Sequence, residues 1–240
     1  MDTIDTIALT LGAGWAAGIN LYAAVFMLGY MGATGSIALP PGLEILSDPL
    51  VMTAAGIMYC VEFFADKTPG VDTGWDTIHT FIRIPAGAIL AAGAASGVGV
   101  SEAAEFAAML VGGTLAAGSH FTKTGSRILI NTSPEPVTNW TASVLEDVAV
   151  IGGLWTALNY PVAFIVLLVM FLILAAWLLP KIWRALKSLA HKIKQFFGGG
   201  KAEGKTPAQN REDVLKSLYS NASKNKEPKS GPKDQEYLDN

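Results

Sequence analysis

Ten ionisable side chains lie within or beside strongly apolar segments, at spacings that could bind ions or relay protons. They are Glu62, Asp66, Asp76, His79, Arg83, His120, Lys123, Arg127, Glu146 and Asp147. On helical spacing Glu62 and Asp66 share one face, and Asp76, His79 and Arg83 share another. Ionisable groups at membrane depth often mark ion pathways or proton relays. We therefore treat these ten residues as candidates for the lining of a substrate or ion pathway.

A structural role for the same residues is the main alternative. The acidic members face the bases Arg83, Lys123 and Arg127, so the charges of the set nearly cancel. Unpaired charge at the centre of a bilayer costs at least ~2.5–3.5 kcal/mol, and pairing is the usual remedy. The breaks at Pro69-Gly70 and at 133–136 support the pathway hypothesis. Where Pro or Gly ends a helix, backbone groups lose their helical partners and can line a cavity.

Other kinds of site have weaker support. Glu62, Asp66, Asp76, His79 and His120 offer suitable metal-ligand types, but no HExxH motif or paired-histidine spacing accompanies them. The serines lack a GxSxG context, and the sequence contains no phosphate-binding Walker loop. We therefore name no catalytic residues, metal or cofactor, and the sequence favours a non-enzymatic protein over an enzyme without deciding between them.

Composition and apolar patterning predict the elements that position these residues. Of the 240 residues 51% are hydrophobic and 15% are charged, and the mean hydropathy is +0.38, which is typical of a membrane protein with several spans. We predict an all-α bundle of about six transmembrane helices. Their approximate ranges are 7–31, 50–64, 76–95, 105–131, 140–158 and 161–179.

The basic residues predict an orientation. Lys181, Arg184 and Lys187 directly follow the sixth predicted span, which places the C-terminus in the cytoplasm by the positive-inside rule. Counting back through six spans places the four earlier basic residues on the same side, and the segments assigned to the opposite side contain no Lys or Arg. The sequence thus predicts a multi-pass protein of the bacterial inner membrane. A count of five spans would reverse the N-terminus.

A shift of 65 residues indicates an internal repeat, because it aligns Trp75 with Trp140 together with several Pro, Thr and Gly positions. Spans two and three would then repeat as spans four and five, each pair forming a helical hairpin with a cytoplasmic turn. The same shift places Arg127 over Glu62. Opposite charges at equivalent positions suggest an ion pair between these two residues.

The first span carries one packing motif and one polar residue. Gly14 and Gly18 form a GxxxG pair, a spacing that lets helix backbones approach closely in lipid. Asn20 follows in the same apolar run. An amide needs hydrogen-bond partners in a bilayer, so Asn20 either lines a pathway or bonds to a neighbouring helix.

The C-terminal region divides into a basic helix and a polar tail. Within 181–197 apolar residues recur at helical spacing between Lys and Arg with no acidic residue, which predicts an amphipathic helix lying on anionic lipid. Beyond a run of three glycines we predict a disordered cytoplasmic tail over 198–240, with one short helix from Pro207 to Tyr219. The transmembrane domain is then 1–180. Besides the lipid bilayer, the sequence leaves room for a second copy of the chain and a protein partner for the tail, and nucleic acid is not expected.

Three segments carry a resemblance to a known family. They are EFFADKTPGVDTGWDTIHTFIRIPAGA at 62–88, GINLY at 18–22, and NTSPEPVTNW at 131–140 followed by Glu146 and Asp147. They resemble the signature of an uncharacterised bacterial and plastid integral membrane family, the domain of unknown function 4126, over about residues 8–180. The resemblance implies a multi-span α-helical membrane protein. It implies no substrate, reaction or cofactor.

Two functions from different classes are therefore hypotheses for this sequence. The first is a transporter or channel for a small ion or solute that uses a charged cluster near the cytoplasmic side. The second is a non-transporting membrane scaffold or assembly factor in which the same cluster is structural.

Overall fold

The structure is a computed structural model, and it describes residues 2–68, 70–99, 101–132, 136–197 and 207–224. The described residues form helices and contain no strand, which confirms the all-α class. The helices are α1 (Thr3–Ala33), α2 (Pro49–Ala65), α3 (Val71–Ala95), α4 (Glu102–Ile130), α5 (Pro136–Asn159), α6 (Pro161–Phe197) and α7 (Pro207–Lys224), with short 3-10 helices at Pro41–Ser47 and Ser96–Val98. The chain divides into two compact units, one ending at Ala190 and the other beginning at His191.

Local sequence signals set many helix starts. The first residue of α2, α5, α6 and α7 is a proline, whose fixed φ suits the first helical turn and whose missing N–H is not needed there. The side chain of Asp2 accepts a hydrogen bond from the Asp5 backbone N–H at 2.9 Å, and the side chain of Asp5 accepts one from the Asp2 backbone N–H at 3.0 Å. This capping box fixes the start of α1.

Helix α1 is the core of the bundle. Ala8, Ala13, Ala16 and Ala24 are fully buried, and α1 packs against each of α2, α3, α4 and α5. On the α6 side, the ring of Trp15 makes edge contacts with two phenylalanine rings, at centroid distances of 6.0 and 5.9 Å. The first helix of the chain is therefore enclosed by the helices that follow it.

The GxxxG pair of α1 packs directly on α4. A Cβ atom added to Gly14 would lie 2.7 Å from the Cα of Gly112, and one added to Gly18 would lie 2.8 Å from the Cα of Ala116. Such distances leave no room for a side chain, so the backbones of α1 and α4 are in contact. The structure confirms the close-packing interpretation of this motif.

The outer surface of the bundle is apolar. In α6, Ile173 and Leu174 expose 66% and 55% of their surface, and α5 exposes 61% of Leu145. Apolar surface this extensive on several long helices is typical of proteins embedded in lipid. The protein is a multi-helix membrane protein.

Four described helices, α1, α3, α5 and α6, are long and apolar enough to cross a membrane. A fifth span is obtained if the 3-10 helix Pro41–Ser47 and α2, which meet at 70°, are taken together. Helix α4 is 29 residues long but is not among these candidates. By length and composition the described helices therefore give four or five spans, whereas the sequence predicts six.

The ends of four helices follow the predicted repeat. Helix α2 ends at Ala65 and α4 at Ile130, while α3 begins at Val71 and α5 at Pro136, so each pair of ends is separated by the same interval in the sequence. The packing is also similar, since α2 and α3 contact each other at few positions, as do α4 and α5, and all four pack on α1. The helix ends thus keep the 65-residue interval, but neither pair packs as a close hairpin, and α3 packs most extensively on α4.

The basic segment 181–197 is the second half of α6, which continues through Pro180 as one helix. Within it the Lys181 ammonium lies 3.0 Å from the ring centroid of Trp177. In the other unit, α7 covers the helix predicted from Pro207 to Tyr219 and extends to Lys224. The remainder of the predicted tail lies outside the described residues.

Candidate functional site

Seven ionisable side chains from four helices meet inside the first unit, and we call them the charged cluster. They are the carboxylates Glu62, Asp66, Asp76 and Glu146 and the cations Arg83, Lys123 and Arg127. Six of the seven side chains are 0–4% exposed, whereas Glu146 is 18% exposed. All seven were among the predicted pathway residues, and they derive from α2, α3, α4 and α5 or the residue that ends α2.

Arg83 connects α3 to α2 within the cluster. Its Nη2 donates to Glu62 Oε1 at 2.6 Å and its Nη1 to Asp76 Oδ1 at 3.0 Å. The same Nη1 lies 3.3 Å from Nδ1 of His120. Because a guanidinium only donates, this ring nitrogen accepts and Nε2 of His120 carries the hydrogen donated to Thr80 Oγ1 at 2.7 Å.

Lys123 lies at the centre of the cluster, and its ammonium is surrounded by oxygen atoms from four other chain segments. The distances from Nζ are 2.8 Å to Asp66 Oδ2, 3.1 Å to the Ile19 carbonyl, 3.4 Å to Glu62 Oε1, 3.6 Å to Glu146 Oε2 and 3.8 Å to Asp76 Oδ1. We call these five oxygens the oxygen cage.

Arg127 joins α4 to α5. Its Nε and Nη2 donate to the two carboxylate oxygens of Glu146, at 3.0 and 2.5 Å, in the paired geometry that suits guanidinium and carboxylate. Its Nη1 donates to the Asp66 carbonyl at 2.7 Å and to Asn139 Oδ1 at 2.6 Å. The predicted ion pair with Glu62 is wrong, because α4 turns Arg127 toward α5 while Glu62 pairs with Arg83 and Lys123.

A break in α1 adjoins the charged cluster. Asn20 has φ −145° and ψ 96°, which interrupts the helix in its buried middle. The side-chain oxygen of Asn20 accepts from the Ala23 backbone N–H at 2.9 Å and thereby caps the second half of α1. The end of the first half presents carbonyls to α4, where Ile19 accepts from Lys123 and Trp15 accepts from Ser119 Oγ at 2.8 Å.

The charged cluster is not electrically balanced. Its four carboxylates exceed its three cations by one when all are ionised. In addition, Glu62 Oε2, Asp66 Oδ1 and Asp76 Oδ2 are buried without a hydrogen-bond partner. Buried polar atoms are normally paired, so these three oxygens leave capacity for a further donor or cation.

The other three predicted pathway residues lie beside the cluster. His120 contacts Arg83, as described above. Asp147 accepts a hydrogen bond from Asn20 Nδ2 at 2.9 Å. His79 lies apart from the ion pairs, because its Nδ1 donates to the Trp75 carbonyl at 2.9 Å and its Nε2 accepts from Tyr22 at 3.0 Å.

Two buried polar residues near the cluster were not among the predicted pathway residues. Asp72 is fully buried and both of its carboxylate oxygens accept from Asn131 Nδ2 at 2.8 Å, which joins the first turn of α3 to the residue that ends α4. Lys67 is buried with its ammonium 2.9 Å from the Phe63 ring centroid and 3.4 Å from Ser143 Oγ. Burial lowers the pKa of Lys67, and the nearby carboxylate of Asp147 partly opposes this effect. Both residues lie in the turn predicted between the second and third spans, and that position is the sequence signal by which they could have been found.

The chemistry available to the cluster is the binding of a charged ligand. No three His, Cys, Asp or Glu side chains of the described residues converge as a metal site. Four grooves of about 660, 450, 320 and 620 Å³ lie on apolar faces of the bundle, and none of these four is lined by a member of the cluster. The cluster is buried, with Glu146 as its most exposed member at 18%.

Comparison with known proteins adds one finding. A family profile described as a domain of unknown function, DUF4126, matches residues 7–181, which include all ten predicted pathway residues. No curated protein and no solved structure matches the chain.

Proposed function

The chain belongs to the DUF4126 family, and we propose that it is a transport protein that moves a small ion or solute past its charged cluster. The observation that carries this proposal is the break of α1 at Asn20, directly beside a buried cluster with one excess carboxylate. Secondary transporters commonly bind their substrates where a discontinuous helix exposes backbone groups at mid-membrane. Here the Ile19 carbonyl is such a group, since it accepts a hydrogen bond from Lys123.

The paired hairpins support the same proposal. In many transporters the binding site lies at the interface between two structural repeats, and alternating access comes from motion of one repeat against the other. The charged cluster lies between α2 and α3 on one side and α4 and α5 on the other. All four helices pack on α1, so α1 lies against both proposed repeats, and α3 of one repeat packs closely on α4 of the other.

We also propose six spans, with α4 as the fourth. Its low apolarity is explained by Lys123, Arg127 and His120, which are buried inside the bundle and never meet lipid. Its outer face is apolar, with Phe106 59% and Leu110 56% exposed. At ~1.5 Å per residue, a helix of this length exceeds the ~30 Å hydrocarbon core.

Six spans place both termini in the cytoplasm of a bacterial cell, by the positive-inside rule. Single cysteines introduced into a Cys60→Ser background test this topology with an impermeant maleimide. We expect Ser36→Cys to react from outside intact cells, and Thr3→Cys and Lys187→Cys to react only after permeabilisation. Labelling of Thr3→Cys from outside would instead establish an odd number of spans.

The basic half of α6 supports a second proposal about partners, namely anionic lipid at the cytoplasmic leaflet. Trp183 is 61% exposed and the Lys187 ammonium lies 5.3 Å from its ring centroid, an arrangement suited to the membrane interface. Phosphatidylglycerol should raise the Tm of the purified protein more than phosphatidylcholine does. Replacing Lys181, Arg184 and Lys187 together by glutamine should remove that difference.

Flux measurements test the transport proposal. Purified full-length protein is reconstituted into liposomes, and a panel of small ions and solutes is assayed under a pH gradient and under an imposed voltage. Asp66→Asn and Arg83→Gln should abolish the flux, since each removes a group from the centre of the cluster.

The control for these variants is Glu102→Gln, which makes the same chemical change at an exposed position in the first turn of α4. It should transport like wild type. Absence of flux for every panel solute in wild-type liposomes, with the protein shown to be folded and inserted, would remove the transport proposal.

A structural scaffold is the second candidate, and the density of ion pairs favours it. Three cations are held by four carboxylates, and the four grooves described above do not reach them. In this case neutralising Asp66 lowers the folded yield in detergent without changing any flux. Deleting 201–240 should then abolish the function of the protein in cells, because the tail would recruit the partner. A deletion without any effect in cells contradicts the scaffold proposal.

A further inference from the structure

We propose that the groove between α4 and α6 binds one acyl chain of an anionic phospholipid, whose phosphate is held by the basic half of α6. This inference rests on the anionic-lipid partner proposed above and deepens it, because it assigns that lipid a defined site. The inference is carried by the lining of the groove, by its position along the two helices and by the contacts of the basic side chains.

The groove has the size and lining of a binding site for an apolar chain. Its volume is about 620 Å³, within the ~300–1,000 Å³ that ligand sites usually occupy. Its largely apolar walls include Phe121, Gly125 and Ile128 of α4 and Leu179, Trp183 and Leu186 of α6. Phe121 is 51% exposed and Trp183 is 61% exposed, so the groove opens on the outer, lipid-facing surface of the bundle.

The two helices touch at the bottom of the groove. A Cβ atom added to Gly125 would lie 2.6 Å from Cγ2 of Ile182, which is itself 4% exposed. This contact sets the spacing of α4 and α6, and the larger side chains around it leave a space that an acyl chain can fill. A chain bound there would pack on both helices at once and hold α6 against α4.

The position of the groove along the helices matches the cytoplasmic leaflet. In the proposed topology of six spans α4 and α6 both run toward the cytoplasm, so Ile128 and Leu186 mark the cytoplasmic end of the groove. Leu179, at the other end, is the last residue of the predicted sixth span. A lipid chain would therefore enter from the leaflet in which basic pockets between transmembrane helices bind anionic headgroups.

Two basic side chains contact residues that line the groove. The Lys187 ammonium lies 5.3 Å from the ring centroid of Trp183, and Arg184 Nε donates to the Pro180 carbonyl at 3.3 Å. The segment 181–197 contains no acidic residue, so a phosphate beside these cations meets no opposing carboxylate from this helix. The groove thus combines an apolar interior with a basic end, as a phospholipid requires.

Native mass spectrometry of the full-length protein in detergent tests the site by counting bound lipids. Dioleoyl phosphatidylglycerol and dioleoyl phosphatidylcholine are added at equal concentrations, and we expect one phosphatidylglycerol to bind in preference. Lys187→Gln should weaken this binding about fivefold, the effect of one basic residue near the surface. Dihexanoyl phosphatidylglycerol should bind more than about tenfold more weakly, because its chains bury fewer CH₂ groups.

Lys181→Gln is the matched control for the charge. It removes the same charge from the same helix, but the Lys181 ammonium lies 3.0 Å from the ring centroid of Trp177, which does not line the groove. Lys181→Gln should retain the bound lipid. The groove site is overturned if Lys181→Gln and Lys187→Gln weaken binding alike, or if dihexanoyl phosphatidylglycerol binds as well as the dioleoyl lipid.

A second pair of variants tests the acyl chain. Ile128→Trp fills the groove and should remove the bound lipid. Ile173→Trp makes the same change at a lipid-facing position that is 66% exposed, and it should retain the lipid. Equal binding by these two variants would overturn the groove site.

Wild-type protein supplies a measurement that does not depend on how the variants fold. Phosphatidylglycerol with a diazirine in the middle of one acyl chain should label 121–128 and 179–186 in excess of the other helices. Phosphatidylcholine with the same diazirine should show no such excess. Equal labelling of these segments by the two lipids would overturn the inference.

The outcomes also separate this site from the proposals above. A preference for phosphatidylglycerol that both lysine variants weaken alike retains the anionic-lipid partner and removes the groove site. Equal binding of the two lipids by wild type removes both. The transport proposal is judged by the flux of Asp66→Asn and Arg83→Gln, and neither result changes it.

Discussion

Asn20 and Asp147 join α1 to α5 through a 2.9 Å hydrogen bond at the point where α1 is broken. The same amide caps the second half of α1, so one side chain both ends the first half-helix and binds the neighbouring helix. Asp147 makes this bond instead of entering the ion pairs of the charged cluster. The break in α1 is thus stabilised by tertiary contacts.

Asn20→Ala should destabilise the protein by about 1–3 kcal/mol, because it removes the Asn20 hydrogen bond to the buried Asp147 carboxylate and the cap of the second half of α1. The free energy of unfolding in mixed detergent measures the change. Asn159→Ala is the control, since Asn159 is exposed and bonds only to its own helix. Equal stability of the two variants would contradict the role assigned to Asn20.

Arg127→Met should strongly lower the free energy of unfolding, because Arg127 pairs with Glu146 on a neighbouring helix. It leaves the Glu146 carboxylate without the paired bonds at 3.0 and 2.5 Å, and breaking a buried ion pair costs about 3–5 kcal/mol. The double variant Arg127→Met with Glu146→Met should regain a substantial part of this loss, because no charge is left unpaired. A double variant less stable than the sum of the single changes would contradict this account.

Gly14→Val should prevent normal packing of α1 on α4. The added side chain would collide with the backbone of Gly112, which has no flexible atoms that could move aside. We expect loss of the folded-protein peak in size-exclusion chromatography, with a destabilisation on the order of 3 kcal/mol. Gly152→Ala is the control, because nothing lies within 4 Å of a Cβ at that position, and it should be neutral or slightly stabilising.

Asp72→Ala should loosen the contact between the two turns of the hairpins. Both oxygens of Asp72 accept from Asn131, and their loss leaves the half-buried Asn131 amide with the Thr73 hydroxyl at 3.1 Å as its remaining partner, at an expected cost of about 1 kcal/mol. Limited proteolysis at the turn after α4 should become faster than in wild type. Thr132→Ala serves as the control, because the Thr132 hydroxyl bonds only within its own turn.

Much of the fold follows from local signals in the sequence. The apolar runs predict α1 to α5 to within five residues at each end, whereas α6 continues through Pro180 to Phe197, beyond the predicted span 161–179. The 65-residue shift also predicts where α4 ends and α5 begins relative to α2 and α3. These features depend on short-range backbone preferences, which is why one sequence suffices to find them.

The pairing inside the charged cluster could not be predicted in the same way. The sequence identified the members by type and spacing, but which carboxylate meets Arg127 depends on the rotation of α4 about its axis, and that is set by the contacts of Gly14 and Gly18 with α4. The break at Asn20 was hidden for a similar reason. Asparagine alone does not interrupt a helix, and here Asp147 and Lys123 stabilise the interrupted form.

The burial of Lys123 and Arg127 in α4 has a consequence for biosynthesis. A ribosome delivers Glu62, Asp66 and Asp76 to the membrane before α4, the least apolar of the long helices of the bundle, emerges. Acidic side chains already present on the earlier helices would lower the free-energy cost of inserting a segment that carries two cations. We expect α4 to be retained by the insertion machinery only when the preceding hairpin is present, so that the order of residues along the chain is also an order of assembly.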